Sequence, residues 1–292
     1  MVQQFWRDVM AKQILFSDSQ PLPAIGQGTW YMGENAAQLT DEVNALRAGI
    51  DLGLTLIDTA EMYANGGAEK VVGEAISGRR DDVFLVSKVY PWNAAGQSAI
   101  TACENSLKRL KTDYLDLYLL HWRGDIALEE TVSVMQHLIE QGKIRRWGVS
   151  NLDYSDMQEL WNVAGGQECA TNQVLYHLAS RGIEYDLLPW SQQQHLPVMA
   201  YCPLAQAGRL RSGLMNHPVL NNLAHQKGVT VAQLLLAWVI HHDGVIAIPK
   251  AGTVAHVKEN AAALEIELSQ EEIGLMEKAF PAPGHKTPLD MV

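Results

Sequence analysis

Short apolar runs alternate with longer amphipathic stretches along almost the whole chain. The runs are Ile25–Thr29, Leu54–Ile57, Val83–Val86, Leu115–Leu120, Arg146–Val149, Ala170–Gln173, Pro197–Tyr201 and Val245–Ile248. Most are β-prone and few alternate apolar with polar residues, which is the pattern of strands buried on both faces. Between them, apolar residues recur at helical spacing and predict helices over about 38–52, 68–78, 96–110, 128–141, 153–164, 183–194, 228–242 and 269–279. Thr40 ahead of Asp41 and Glu42, and Ser269 ahead of Glu271 and Glu272, read as helix starts. Lys12–Phe16 and Leu22–Ile25 flank the turn-like Ser17-Asp-Ser-Gln and predict an opening hairpin.

Eight strand and helix alternations predict an α/β chain folded as a (β/α)8 TIM barrel with a short N-terminal β-hairpin, one domain over residues 1–292. A doubly wound dinucleotide-binding sheet would want Gly-x-Gly-x-x-Gly after its first strand. Here Gly26-Gln-Gly28-Thr-Trp-Tyr-Met-Gly33 puts the third glycine at the wrong spacing. The longest interval between strands, Tyr201 to Val245, carries Pro203, Gly208, Gly213 and Pro218 and predicts an enlarged loop with short helical pieces.

Composition narrows the setting. Forty-seven per cent hydrophobic and 19% charged over 292 residues is the balance of a globular chain with a large core. The run Val229–Ile240 is too short to cross a bilayer, so no membrane partner is expected. Met1-Val-Gln-Gln-Phe-Trp lacks the basic-then-apolar pattern of a secretory signal, which makes the cytoplasm the expected address. Cys103, Cys169 and Cys202 are odd in number and far apart, which suits reduced thiols and neither a disulfide framework nor a zinc cluster. A net charge of −11 argues against nucleic acid as a partner, while leaving room for a local basic pocket that holds a phosphate.

The strand ends carry the chemistry. Asp58, Lys88, His121, Ser150 with Asn151, Gln173, Tyr201 and Lys250 each follow or close one predicted strand. On a barrel these ends form one rim, and so many polar groups converging there need partners or a ligand. An aspartate, a lysine and a histidine with a nearby tyrosine, and no serine or cysteine nucleophile among them, point to proton transfer. Tyr63, five residues past Asp58, is the candidate acid: a nearby ammonium would favour its phenolate and lower its pKa, with a carboxylate holding that ammonium. Asp58 and His121 have no second ligand at a characteristic short spacing, so no metal is expected.

These residues sit in segments that resemble the signatures of the aldo/keto reductase family. Gly49-Ile-Asp-Leu-Gly-Leu-Thr-Leu-Ile-Asp58-Thr-Ala-Glu-Met-Tyr63 with Gly67-Ala-Glu-Lys-Val-Val-Gly73 resembles the first signature. Leu107 to Trp122 resembles the second, and Ile248-Pro-Lys250 followed by His256-Val-Lys-Glu-Asn260 the third. Gln27-Gly-Thr-Trp-Tyr-Met-Gly33 and the terminal Pro288-Leu-Asp-Met-Val292 resemble bacterial methylglyoxal reductases in particular. The resemblance implies NADPH-dependent reduction of small reactive aldehydes and 2-oxoaldehydes. In it Tyr63 is the general acid, Lys88 tunes it, Asp58 pairs with Lys88, and His121 orients the carbonyl.

It also implies a cofactor lying across the mouth. Gly28, Thr29, Trp30 and Asp58 would border it, Ser150, Asn151 and Gln173 would hold its carboxamide, and Tyr201 would stack on the ring. Pro203, Leu204, Gln206, Gly208 and Leu210 would cover the pyrophosphate. Lys250, Ala251, Gly252, Thr253, His256, Glu259 and Asn260 would take the 2′-phosphate end. Many NADPH-using relatives have serine and arginine where this chain has Ala251 and His256, so Lys250 is expected to carry the phosphate with the amides of a helix start. Trp30, Tyr63, Trp92, His121 and Trp122 are expected to wall the substrate pocket. The short tail after Phe280 predicts an open mouth, and the family allows a monomer. Two other readings are an aldo/keto reductase for a sugar-derived or 2-keto carbonyl, and a cofactor-binding ancillary protein of a membrane partner, as among potassium-channel subunits.

Overall fold

A computed structural model describes residues 12–16, 20–206 and 208–292, so the start of the chain and the Ser17–Ser19 turn lie outside the described residues. Strands β1 (Gln13–Leu15) and β2 (Pro21–Pro23) pair antiparallel in the expected hairpin. Eight parallel strands follow in strictly sequential order: β3 (Gln27–Gly28), β4 (Leu56–Asp58), β5 (Phe84–Val89), β6 (Leu117–Leu120), β7 (Trp147–Ser150), β8 (Asn172–Leu175), β9 (Val198–Tyr201) and β10 (Val245–Ala247). The first and last are joined by backbone. The Gly26 N–H donates to the Ala247 carbonyl, the Ala247 N–H to Ala24 and the Gly28 N–H to Pro249. The sheet therefore closes into the (β/α)8 barrel that the alternation predicts. Gly28 has a steric duty in that closure, because a Cβ there would sit 2.7 Å from the Ile248 carbonyl oxygen.

The helices are α1 (Leu39–Asp51), α2 (Gly67–Ala75), α3 (Gly96–Leu110), α4 (Leu128–Glu140), α5 (Tyr154–Trp161), α6 (Leu187–Gln193), α7 (Arg209–Met215), α8 (Pro218–Lys227), α9 (Val231–Val239), α10 (Val254–Ala262) and α11 (Gln270–Ala279). Full capping boxes start α5 (Asp153 with Asp156), α9 (Thr230 with Gln233) and α11 (Ser269 with Glu272). Thr40 proves not to be a cap: it lies inside α1, whose entry is a 3-10 turn capped by Asn35.

The larger correction concerns the eighth helix. The segment after β10 is α10, packed on α1, whereas the expected 269–279 helix is an addition that packs on α8. Only Val257 and Asn260 of α10 are buried, so its apolar period is too faint to read. The enlarged Tyr201–Val245 interval holds α7 and α8 before α9 completes the unit. Among the described residues no helix is long and apolar enough to cross a membrane.

Candidate active site

The C-terminal ends of β4 and β5 face each other across their shared ladder, which brings Asp58 and Lys88 together although they are 30 residues apart. Both are buried, at 2% and 0% exposure. Lys88 uses all three of its N–H groups: on Asp58 Oδ1 at 2.7 Å, on the Thr59 carbonyl at 2.9 Å and on the Tyr63 phenol oxygen at 3.1 Å. The second Asp58 oxygen accepts from Gln173 Nε2 at 2.8 Å, and its backbone carbonyl accepts from Thr29 Oγ1. A buried ion pair persists only when its remaining hydrogen-bonding capacity is met, as it is here.

Tyr63 reaches the ammonium from a loop under backbone strain. The two residues after it, Ala64 and Asn65, have φ of +50° and +51°, a conformation costly for alanine. Its phenol oxygen accepts from Lys88, which leaves its own O–H free to donate elsewhere. The net shift of the phenol's pKa is opposite to the lowering expected from the ammonium alone. Burial pushes it well above the ordinary value and Asp58 adds to the shift, while burial also lowers Lys88. The site thus holds a protonated phenol, the form from which a proton can be given. His121, 5.9 Å from the Tyr63 ring, has its pKa lowered to about 2 by burial and by Lys88, so its imidazole is neutral. Its Nδ1 is buried without a hydrogen-bond partner among the described residues.

Along the next strands, the Ser150 hydroxyl donates to the Gln173 carbonyl, and the Asn151 amide donates to the His121 carbonyl and to Ser150 Oγ. Asn151 Oδ1 accepts from the Tyr201 hydroxyl at 2.8 Å. Asn151 itself sits at φ +58°. The amide, hydroxyl and phenol groups expected around a carboxamide are therefore assembled as one network with the proton-transfer group.

Beyond β10, Lys250 is exposed and bridged to Gly28 through the backbone, and a Cβ on Gly252 would lie 3.1 Å from its Nζ. Thr253 caps α10 by accepting from the His256 N–H. Val254 and Ala255, the first two helical residues, are left with N–H groups that have no helical acceptor. The His256 and Glu259 side chains are exposed, while Ala251 and Asn260 are buried. In the seventh loop Pro203 and Leu204 are buried, Gln206 is half-buried, and Gly208 (φ +108°) and Leu210 are exposed. Two exposed cations on α7, Arg209 and Arg211, escaped the sequence reading because each looks like an ordinary surface charge.

The three rim tryptophans belong to a chain of ring contacts. It runs from Tyr31 to Trp30 (4.6 Å), Tyr63 (6.4 Å), His121 (5.9 Å), Trp122 (5.0 Å), Trp92 (5.7 Å) and Tyr90 (4.5 Å). Tyr31 and Tyr90 were not singled out from sequence, although each adjoins or nearly adjoins a tryptophan that was. The tail is tied to the loops that follow β7 and β8 and to the end of β9. Lys286 bridges Asp153 and Asp186, Asp290 accepts from Ser180, and the Val292 backbone reaches the Tyr201 phenol.

The aldo/keto reductase family model matches residues 24–280. The chain is 71% identical over 281 residues to methylglyoxal reductase YeaE of Escherichia coli, covering 96% of this chain and 99% of that one. It is 35% identical over 255 residues to glyoxal reductase of Bacillus subtilis, covering 86% and 87%. Among solved structures, an aldo/keto reductase from Klebsiella pneumoniae in complex with NADP and acetate superposes with a TM-score of 0.95 at 67% identity, covering 97% of this chain and all of that one. A second structure from that organism, with NADPH, matches equally.

Proposed function

Because the chain belongs to the aldo/keto reductase family, we propose that it reduces small reactive aldehydes and 2-oxoaldehydes such as methylglyoxal to alcohols, with NADPH as reductant. The observation that carries the reading is the complete commitment of Lys88: its three donors fix the ammonium against the Tyr63 oxygen. Tyr63 then gives its free proton to the carbonyl oxygen, and the phenolate that remains is stabilised by the ammonium 3.1 Å away. Asp58 keeps that ammonium charged and in place. His121, neutral at working pH, orients the carbonyl as a hydrogen-bond donor.

The residues present fit the cofactor. Ser150, Asn151 and Gln173 supply both donors and acceptors for a carboxamide. Lys250, Arg209, Arg211 and the open N–H groups of α10 supply local positive character in a chain of net charge −11. When bound, the reduced nicotinamide supplies the hydride. Tyr201 offers a flat ring beside the amide network, held by Asn151.

The test is cofactor oxidation with a carbonyl panel on wild type and Tyr63→Phe. The variant should bind NADPH as wild type does while kcat falls by about 10²–10⁴, the usual contribution of a positioned acid. Turnover at the wild-type rate would remove Tyr63 from its role. Equal catalytic efficiency with NADH would overturn the NADPH preference, and activity confined to bulky ketosteroids would overturn the substrate class.

A further inference from the structure

We propose that His241, His242 and Glu277 form a Zn²⁺-binding site outside the Asp58–Lys88–Tyr63 network. The two histidines lie in the turn that leads from α9 into β10, and Glu277 faces them from α11. One potential ligand atom from each of the three lies within 4.8 Å of the others, and all three residues are half-buried, within reach of an ion from solvent. A tetrahedral zinc shell needs these atoms closer together, so binding requires His242 and Glu277 to rotate toward His241.

Two further observations favour a metal over a structural hydrogen-bond cluster. His241 Nδ1 is bonded to the Trp238 carbonyl, which fixes it as the N–H nitrogen, orients the ring and leaves Nε2 as a lone pair. His242 Nε2 is buried with no partner among the described residues, so a group that needs an acceptor or a cation goes unmet. Arg181 and Lys12 lie near enough to His242 to act on it electrostatically.

Glu277 already accepts from Arg181 Nη2 at 3.1 Å. Arg181 is independently anchored, with Nε and Nη2 on Glu184 at 2.8 and 2.6 Å and Nη1 on the Phe280 carbonyl at 2.9 Å, so it can release Glu277 without losing its place. Two imidazole nitrogens and one carboxylate, with water completing the shell, suit Zn²⁺ and not Mg²⁺ or Ca²⁺. Arg181 and Lys12 oppose a dication, so the affinity is expected to be micromolar.

The experiment is equilibrium dialysis of the EDTA-treated full chain against Zn²⁺, with Co²⁺ as a spectroscopic substitute. Wild type should bind one equivalent that His242→Gln and Glu277→Gln each lose, while His137→Gln, on the exposed face of α4, keeps it. Co²⁺ should give tetrahedral visible bands without thiolate charge transfer, which separates the site from the cysteines. Zn²⁺ at about a hundredfold above Kd should raise the melting transition by on the order of 5 °C in wild type and not in the two site variants. Mg²⁺ should do nothing. The proposal is overturned if wild type binds no Zn²⁺, if both site variants keep the full equivalent, or if Co²⁺ shows thiolate ligation.

Discussion

The two ends of the barrel are built from opposite materials. At the ends where the strands begin, Ala24, Ile25, Leu54, Leu115, Trp147, Val198 and Val245 are all buried and apolar. The hairpin adds Ile14, Phe16 and Leu22, with the Phe16 ring 5.4 Å from Phe84. At the ends where the strands finish, the buried groups are Asp58, Lys88, His121, Ser150 and Gln173. Backbone strain follows the same division. Of the eight non-glycine residues with positive φ among the described residues, Tyr31, Ala64, Asn65, Asn151, Cys202 and Ala205 lie in loops leaving the strand C-terminal ends, and the other two, Lys111 and His195, sit at helix ends. One end is built from transferable hydrophobic burial, and the other holds polar groups and strained backbone that the first must stabilise.

Lys88→Met attacks the mouth most directly and should have the largest effect. It removes the ammonium that fixes the Tyr63 oxygen and leaves Asp58 buried with one oxygen unpaired. Steady-state kinetics should show kcat reduced by at least about 10³, and denaturant melts should show about 3–5 kcal/mol lost, the usual result of orphaning one partner of a buried pair. Retained activity would mean that the proton path avoids this network.

Phe16→Ala tests the other end. Truncating a buried phenylalanine costs about 3–5 kcal/mol through lost transfer energy and the cavity left behind. Because Phe16 touches none of the polar network, kcat at 25 °C should stay within about twofold of wild type for the fraction that is folded. A large fall in kcat with intact stability would show that the two ends are coupled.

How much of this division could be read from the chain depends on whether the signal is local. The strands were legible because each is a short apolar run, and Asp58, Lys88 and His121 were legible because each ends one. Asp58 and Lys88 could be placed on one rim by counting strands, but no local feature tells that Gln173, 115 residues away, holds the second Asp58 oxygen. Glu69 shows the limit more clearly. It is fully buried, bound to Ser87 and Arg109, and in the sequence it looks like a surface glutamate on an amphipathic helix. The direction of the Tyr63 shift was misread for a related reason: a sequence supplies the neighbouring charge but not the depth of burial, and burial wins here. The course of the tail was not legible because it depends on Lys286 meeting two aspartates from distant loops.

Histidine titration gives a finer comparison. His121 is 8% exposed and its folded pKa is near 2, below the value of about 6.5 expected for the unfolded chain. The unfolded state therefore takes up the proton first, and stability falls as pH drops below about 6.5. From this residue alone the loss at pH 5 is about 2 kcal/mol. His177, lowered to about 4 by burial, acts in the same direction. Urea melts of His121→Asn and wild type at pH 7 and pH 5 should show a shallower pH dependence in the variant, by nearly one proton. An identical slope would place the acid sensitivity of the fold elsewhere.

Trp92→Ala should have the smallest effect and locates the boundary of the mouth. The side chain is 62% exposed yet belongs to the ring chain, stacked on Tyr90 and edge-on to Trp122. Exposed aromatic pairs contribute only about 0.5–1.5 kcal/mol, so the melt should hardly move. Methylglyoxal is too small to need the outer rings, and its kcat/KM should change by less than about twofold. On the proposed function an aryl aldehyde would extend its ring outward from Tyr63 past His121 and Trp122, and loss of one aromatic face should raise its KM by about 3–10-fold with kcat unchanged. Equal losses for both substrates would mean that Trp92 shapes the reacting position itself, and the polar mouth would then extend further along the aromatic chain than its hydrogen bonds indicate.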